Sequence, residues 1–335
     1  MSSIPNCIKD KRNSMGHLLE VKDLEVKFAL WSGELTAIDG ISFSVDRGER
    51  LGIVGESGAG KSVTGFAIIN LISRPGYISG GKILFENQEL NRLPEEEMRA
   101  IRGNRISMIF QDPMMTLNPV LTIATQMTET VLAHQDVSKN DALDIALEKL
   151  KKVHIPSPEK RLQQYPHECS GGMRQRIVIA IALLTNPGLI IADEPTTALD
   201  VTFQAEIMDL LLELCESEKL GLILITHDLG VVSQVTEKIV VMYAGKIVES
   251  GSTRAVVQDP KHPYTKGLIK ALPGIIQPGA RLNQIPGMMP NLTEIPRGCA
   301  FHPRCTISDS ICSEEVPALI SKDQLDRMTA CHMIK

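Results

Sequence analysis

The fold of this chain is decided by one stretch, Gly55-Glu56-Ser57-Gly58-Ala59-Gly60-Lys61-Ser62. Its spacing, G-x-x-x-x-G-K-[ST], is that of a Walker A phosphate-binding loop, so all eight residues are expected to contribute to a nucleotide site. The apolar residues 51–54 before it predict a short buried strand, and the proline-free residues 63–71 after it predict a helix. An ordinary glycine-rich turn is the alternative, but it does not account for a lysine and a serine at that junction.

The residue types of this loop suit an anion. Glycines let the backbone wrap closely around a phosphate, and the N–H groups and dipole of the following helix favour negative charge. Lys61 is expected to reach the β- and γ-phosphates, and the Ser62 hydroxyl is expected to bind Mg²⁺. The loop therefore predicts binding of a nucleoside phosphate.

Length and composition restrict the classes of protein that remain. The chain has 335 residues, enough for two domains or one large domain with an appendage. It is 43% hydrophobic but only 4% aromatic, which favours aliphatic, buried parallel strands. The net charge of −5 gives no basic footprint for nucleic acid. The longest apolar run, residues 177–184, is too short to span a bilayer, and residues 1–17 lack the apolar core of a signal peptide, so a cytosolic protein is expected.

Two alternating segments precede the loop. Residues 19–26 and 41–45 predict half-buried strands of a small antiparallel sheet, with Phe28 and Trp31 on the loop between them. An exposed aromatic upstream of a phosphate loop can stack on a purine, and we favour Phe28 for this role over Trp31. The alternative is a loop aromatic that packs on its own sheet.

Polar side chains follow three predicted buried strands. Gln111 follows residues 106–110, Asp193 and Glu194 follow residues 189–192, and His227 follows residues 221–226. Ligands of open α/β sheets bind at the carboxyl ends of the strands, so these side chains are candidates for Mg²⁺, water and γ-phosphate contacts. The aliphatic strand before Asp193 and Glu194 has the form of a Walker B motif. Residues 117–164 between the first two strands have a helical pattern.

A second glycine segment, Cys169-Ser170-Gly171-Gly172-Met173-Arg174-Gln175, precedes another apolar helical run. It predicts a second anion-binding helix N-terminus, although a plain N-cap is the alternative. Because one phosphate loop is enough to bind one nucleotide, a second anion-binding segment in the same chain requires an explanation.

In this order, the motifs resemble those of the ATP-binding subunits of ABC transporters. The resemblance identifies Gln111 with the Q-loop, residues 170–175 with the signature, Ala198-Leu199-Asp200 with the D-loop and His227 with the switch histidine. It implies that two ATPase subunits pair head to tail, so that the signature contacts the partner's ATP through Ser170, Gly171, Gly172 and Gln175. It further implies Mg²⁺ bound by Ser62, Gln111 and Asp193, and a catalytic group of Glu194, His227 and Lys61.

A narrower resemblance covers nearly the whole chain. Residues 109–114, Tyr165-Pro166-His167-Glu168, His262-Pro263-Tyr264-Thr265 and residues 298–305 are similar to the oligopeptide/dipeptide importer subfamily, which includes nickel importers. It implies ATP-driven uptake of short peptides, with nickel or another small solute as the alternative. The implied partners are a second ATPase chain forming a heterodimer, two membrane permeases and an extracytoplasmic solute-binding protein, with the chain peripheral on the cytoplasmic face of the membrane. Cys169 stands where the family usually has leucine, and we expect only a mild effect.

The resemblance also implies an α/β fold with a P-loop ABC ATPase core at residues 18–265. This core is expected to contain an antiparallel β-subdomain and a helical subdomain at about 113–170, after a flexible tail at residues 1–17. Residues 266–335 are expected to form a small, irregular, cysteine-containing extension of the peptide-importer type.

That extension contains four of the chain's seven cysteines, Cys299, Cys305, Cys312 and Cys331. Four thiols suit either tetrahedral zinc or a [4Fe–4S] cluster, and the spacing lacks the C-x₂-C pairs usual in structural zinc sites. His302 and His332 keep a mixed zinc site open, and four unliganded thiols are a further alternative. The subfamily resemblance implies the [4Fe–4S] cluster.

Two other classes fit less well. Non-transport ABC ATPases that act on nucleic acid commonly have two cassettes or a long coiled-coil insertion, whereas this chain has one Walker A loop and an acidic balance. A switch GTPase would need an Asn-Lys-x-Asp segment, which the sequence lacks, and would leave the signature unexplained.

Overall fold

The computed structural model describes residues 16–31, 33–197, 200–272, 285–321 and 327–334. The predicted tail at residues 1–17 therefore lies outside the described residues, apart from Gly16 and His17. The described residues form two β-sheets with helices packed around them. Their strands are β1 Leu19–Leu30, β2 Gly33–Val45, β3 Arg50–Val54, β4 Gly76–Phe85, β5 Gln88–Glu89, β6 Ile106–Ile109, β7 Leu189–Asp193, β8 Gly221–Thr226, β9 Lys238–Tyr243, β10 Lys246–Ser252, β11 Ile320–Ser321 and β12 Met328–Thr329.

The first sheet is antiparallel, with strand order β2-β1-β4-β5. The alternation of residues 19–26 and 41–45 predicted this sheet, but its strands are longer than predicted. Phe28 lies within β1, where it pairs with Leu35 on β2 and Gly76 on β4, and not on a loop as expected. The reason is that residues 27–30 continue the pairing although they do not continue the strict alternation.

The second sheet has the order β11-β12-β10-β9-β3-β8-β7-β6. Strands β6, β7, β8, β3 and β9 run parallel, so their carboxyl ends meet at one edge. All residues of β7 and β8 are buried. Their continuous aliphatic sequences are what a parallel strand covered on both faces requires.

The helices pack on these sheets and form a separate group between β6 and β7. They are α1 Lys61–Ile68, α2 Glu95–Ile101, α3 Pro113–Thr116, α4 Ile123–Leu132, α5 Lys139–Lys152, α6 Pro158–Leu162, α7 Gly171–Ala182, α8 Val201–Glu218, α9 Leu229–Val235, α10 Thr253–Gln258, α11 Pro263–Lys270 and α12 Ser310–Glu314. One hydrophobic cluster joins α4, α5 and α7 to the buried face of the second sheet. Within the described ranges, no helix is long and apolar enough to cross a bilayer.

The C-terminal extension is more regular than predicted. Strands β12 and β11 continue the second sheet beyond β10, with Glu249 paired to Thr329. Helix α11 runs through the expected domain boundary after residue 265. The extension is therefore built onto the edge of the second sheet.

Candidate functional site

The phosphate loop connects the end of β3 to the first turn of α1. Gly60 precedes α1 with φ 101°, in the left-handed region that favours glycine. A Cβ at this position would lie 2.7 Å from Ile38 Cδ1 and 3.0 Å from the Ala37 carbonyl oxygen. Glycine is required at Gly60 both for its conformation and because β2 approaches so closely.

Lys61 lies under the loop. It is 5% exposed, and its Nζ donates to the carbonyl oxygens of Gly55 at 2.9 Å and Glu56 at 3.1 Å. Burial lowers the pKa of Lys61, while Glu194, Asp193 and Glu56 act in the opposite direction. The ammonium is therefore held where a bound phosphate can replace the two carbonyl contacts.

The structure brings the two strand-end motifs next to the loop. The Ser62 hydroxyl donates to Asp193 Oδ1 at 3.1 Å, although the two residues are far apart in sequence. Burial raises the pKa of Asp193, the Ser62 hydrogen bond lowers it, and the charge of Glu194 raises it further. A buried carboxylate beside a hydroxyl matches the oxygen ligands that Mg²⁺ prefers.

Glu194 is held by three side chains. Gln111 Nε2 donates to its Oε2 at 2.9 Å, the Thr197 hydroxyl donates to Oε2 at 2.8 Å, and His227 Nδ1 lies 3.2 Å from Oε1. Burial opposes ionisation, but the Thr197 and His227 hydrogen bonds outweigh it and hold the pKa of Glu194 below its usual value. Glu194 also has φ 44°, an uncommon conformation for this residue type that clusters at functional sites.

A cavity of about 520 Å³ opens beside these groups. Its lining includes Ser62, Gln111 and Asp193, together with the rings of Phe66 and Phe110. Thus the phosphate loop, the acidic pair, Gln111 and His227 meet at one edge of the parallel sheet. This arrangement can bind a metal-complexed triphosphate and orient a water molecule.

The second glycine segment has the local geometry of a helix cap. Ser170 precedes α7, and its Oγ accepts the Met173 N–H at 3.3 Å. Ser170 is exposed, whereas Gln175 is 1% exposed and its Nε2 has no hydrogen-bond partner among the described residues. Gln175 lies on the face of α7 that packs inward, and its expected contact with a partner's nucleotide stays a prediction.

Asp200 and Cys169 also have local structural roles. Asp200 is exposed and caps α8, accepting the Phe203 N–H at 3.2 Å. Ala198 and Leu199 of the predicted D-loop lie outside the described residues. Cys169 is 4% exposed and packs in the hydrophobic core, and burial raises the pKa of its thiol.

The two candidate aromatics differ in their surroundings. Phe28 is half-buried and packs closely on Gly76, where an added Cβ would lie 2.7 Å from Phe28 Cε1. Trp31 directly follows β1 and is fully exposed. Phe28 packs partly against the sheet and Trp31 has the more exposed ring, and the stacking of either ring on adenine stays a prediction.

Sequence reasoning missed two contacts to Glu56. The Tyr264 hydroxyl accepts its backbone N–H at 2.7 Å, and Arg304 Nη1 lies 2.6 Å from its carboxylate. It also missed the hydrogen bond from Thr197 to Glu194. The segments containing Tyr264 and Arg304 were recognised only as subfamily markers, and nothing in their spacing indicates a contact with the phosphate loop.

The four extension cysteines lie near one another. The Cys299 N–H donates to the Cys312 carbonyl at 2.8 Å. Burial raises the pKa of the Cys299 thiol, and Cys312, Cys331 and Cys305 raise it further. None of the described cysteines forms a disulfide. Within the described ranges, no three His, Cys, Asp or Glu side chains have the geometry to hold a metal ion, so the expected zinc or iron–sulfur site is not preformed there.

Comparison with known proteins gives consistent matches. A family model described as ABC transporter matches residues 38–197, and one described as oligopeptide/dipeptide transporter, C-terminal region, matches residues 248–312. The chain is 51% identical to the oligopeptide transport ATP-binding protein OppD of Bacillus subtilis, over 90% of this chain and 85% of that protein. It is 47% identical to the dipeptide transport ATP-binding protein DppD of Escherichia coli, over 94% of this chain and 96% of that protein.

Solved structures give the same fold. A dimeric post-hydrolysis structure of the ATP-binding cassette MJ0796 bound to ADP and Pi superposes with a TM-score of 0.63. That match has 28% identity and covers 70% of this chain and 99% of the cassette. The structure of cbiO1 from Clostridium perfringens, part of the ABC transporter complex cbiONQ, gives a TM-score of 0.62 at 26% identity, covering 72% of this chain and 91% of that chain.

Proposed function

Because this chain belongs to the family of ABC transporter ATP-binding subunits, we propose that it hydrolyses ATP to drive uptake of short peptides. The observation that carries the peptide assignment is the similarity along almost the whole chain to proteins named for oligopeptide and dipeptide transport. The match at residues 248–312 to a peptide-transporter C-terminal region supports it further.

We propose the following roles for the site residues, supported by their contacts. Lys61 neutralises the β- and γ-phosphates, and Ser62 and Asp193, already in contact, bind Mg²⁺ with help from Gln111. Bound Mg²⁺ supplies charge stabilisation to the triphosphate. Glu194, kept ionised by its hydrogen bonds, would orient and polarise the attacking water, and the neighbouring His227 would contact the γ-phosphate and help orient that water. Most of the catalysis is then positioning and electrostatic stabilisation.

The nucleotide site is proposed to be completed by a second ATPase subunit. Ser170, Gly171 and Gly172 are available at the N-terminus of α7 to bind the partner's ATP, and Asp200 couples the two sites. The dimeric MJ0796 structure supports a pair of cassettes. We propose that the partner is a different chain, so that the working unit is a heterodimer.

The remaining proposed partners are two membrane permeases and an extracytoplasmic solute-binding protein. The chain would bind the permeases at the cytoplasmic face of the membrane, through the helical group that begins just after Gln111. No nucleic-acid partner is proposed, since the net charge is −5.

Reconstitution of the complete transporter tests the substrate. We expect ATP-dependent uptake of labelled dipeptides or oligopeptides and peptide-stimulated hydrolysis, while labelled nickel is not transported. Nickel uptake without peptide uptake would overturn the peptide assignment and leave the ATPase assignment intact.

We also propose that the four extension cysteines hold a [4Fe–4S] cluster. The donor set supports this choice, because four thiolates are the usual ligands of such a cluster. The arrangement of the thiols supports it as well, because Cys305, Cys312 and Cys331 lie close enough to Cys299 to raise the pKa of its thiol.

Anaerobic purification tests this cofactor. A content of about four iron atoms per chain, all lost in Cys305→Ser, would support the cluster. Stoichiometric zinc without iron would overturn it in favour of a zinc site.

A further inference from the structure

Two residues of the C-terminal region contact the phosphate loop at the same residue, Glu56. The Tyr264 hydroxyl accepts the Glu56 N–H at 2.7 Å. Tyr264 is completely buried, and its ring packs edge-on against Tyr243, with ring centroids 4.7 Å apart. The hydroxyl is therefore fixed in place, and the N–H that it binds is part of the loop that receives phosphate.

Arg304 binds the Glu56 side chain with both terminal nitrogens, at 2.6 Å and 3.0 Å. The Arg304 side chain is only 5% exposed, and its guanidinium lies 5.8 Å from the centre of the Tyr243 ring. Its Nε donates to the Pro286 carbonyl at 2.8 Å. A bidentate ion pair of this kind fixes the orientation of the Glu56 carboxylate and also neutralises its charge.

Both residues are held by the segments that distinguish this chain from a bare cassette. His262 caps α11 by accepting the Tyr264 N–H at 3.1 Å, which sets the start of the helix. Arg304 lies in a single 3₁₀ turn between Cys299 and Cys305. The cysteine segment is thus connected to the phosphate loop by one side chain.

We propose that Tyr264 and Arg304 are positioning residues for ATP binding, and that they make nucleotide affinity depend on the structure of the cysteine segment. Tyr264 fixes the backbone of the loop, and Arg304 neutralises a carboxylate that would otherwise repel the triphosphate. Loss of either contact leaves a loop that must be ordered when ATP binds, which lowers affinity. This role does not depend on which solute is imported.

The test is the Kd of a fluorescent ATP analogue with Mg²⁺, measured on the full-length subunit without hydrolysis. Arg304→Ala is expected to raise Kd about tenfold, the loss of one strong charged hydrogen-bond pair. Tyr264→Phe, which keeps the ring packing, is expected to raise it about threefold to fivefold. Arg297→Ala is the matched control, because Arg297 is an exposed arginine of the same extension.

A double-mutant cycle separates positioning from general support of the fold. In a Glu56→Gln background, where the repelling charge is gone, Arg304→Ala is expected to change Kd by less than about twofold. An equal loss in both backgrounds would show that Arg304 acts through the extension alone and would overturn the proposal. If Arg304→Ala does not fold, Tyr264→Phe with a wild-type Kd overturns it instead.

Discussion

Replacing Thr197 by valine removes one of the three hydrogen bonds that hold Glu194 in position. The Thr197 hydroxyl lies 2.8 Å from Glu194 Oε2; the Glu194 side chain is only 15% exposed, but Thr197 is exposed, so water replaces part of the lost bond. A hydrogen bond to a charged group contributes about 1.5–3 kcal/mol, and we take the lower value because Gln111 and His227 remain. About 1.5 kcal/mol in the transition state corresponds to about a tenfold lower kcat.

The same change has a defined effect on pH dependence. The Thr197 hydrogen bond lowers the pKa of Glu194, so its removal raises that pKa toward the usual value. Glu194 then loses its negative charge at a higher pH when the solution is acidified. The acid limb of the kcat profile is therefore expected to move to higher pH.

The assay is steady-state ATP hydrolysis by the assembled transporter across the acid range, with Thr197→Ser as the control that keeps the hydroxyl. The serine variant should retain most of the activity and the wild-type acid limb. A Thr197→Val enzyme with wild-type kcat and an unmoved limb would refute the assignment of Thr197 as a support for Glu194.

Three further predictions concern other parts of the chain. Trp31 is the single tryptophan, so ATP should quench the fluorescence of the protein if this ring stacks on adenine. Trp31→Ala should then raise the Kd for ATP more than Phe28→Leu does. The reverse order of Kd values would favour Phe28. Ser170→Ala should lower the free energy of unfolding by about 1 kcal/mol, because the cap of α7 is lost. The same variant should abolish hydrolysis by the dimer but leave ATP binding by the isolated subunit intact. Unchanged hydrolysis would refute the contact across the dimer. Burial lowers the pKa of His262 to about 3, so between about pH 6.5 and 3 this residue is protonated in the unfolded chain but not in the folded one. The free energy of unfolding should therefore fall as the pH drops through this range. In urea titrations a His262→Asn variant should show a smaller fall with pH, and an identical fall would contradict this.

Local patterns predicted the catalytic edge of the sheet. The glycine loop, the acidic pair at Asp193 and the strand before His227 each have a signal within about ten residues, and parallel strands bring such ends together. For these residues the structure adds the distances between side chains, such as 3.1 Å from the Ser62 hydroxyl to Asp193 Oδ1.

Contacts between distant segments were not predictable in this way. Tyr264 and Arg304 lie 208 and 248 residues beyond Glu56, and no pattern period connects segments at such separations. The burial of Gln175 depends on which face of α7 meets the core, and the extension of β1 through Phe28 depends on pairing with β4. In each case tertiary packing decided the outcome.

The most direct test of the account is Glu194→Gln in the assembled transporter, measured for both ATP binding and hydrolysis. The amide keeps the shape of the side chain but cannot polarise water as a carboxylate does. We expect ATP affinity close to wild type, a closed ATP-bound dimer that accumulates, and turnover reduced by at least about a hundredfold. Hydrolysis at the wild-type rate would contradict the assignment of Glu194 and the mechanism built on it.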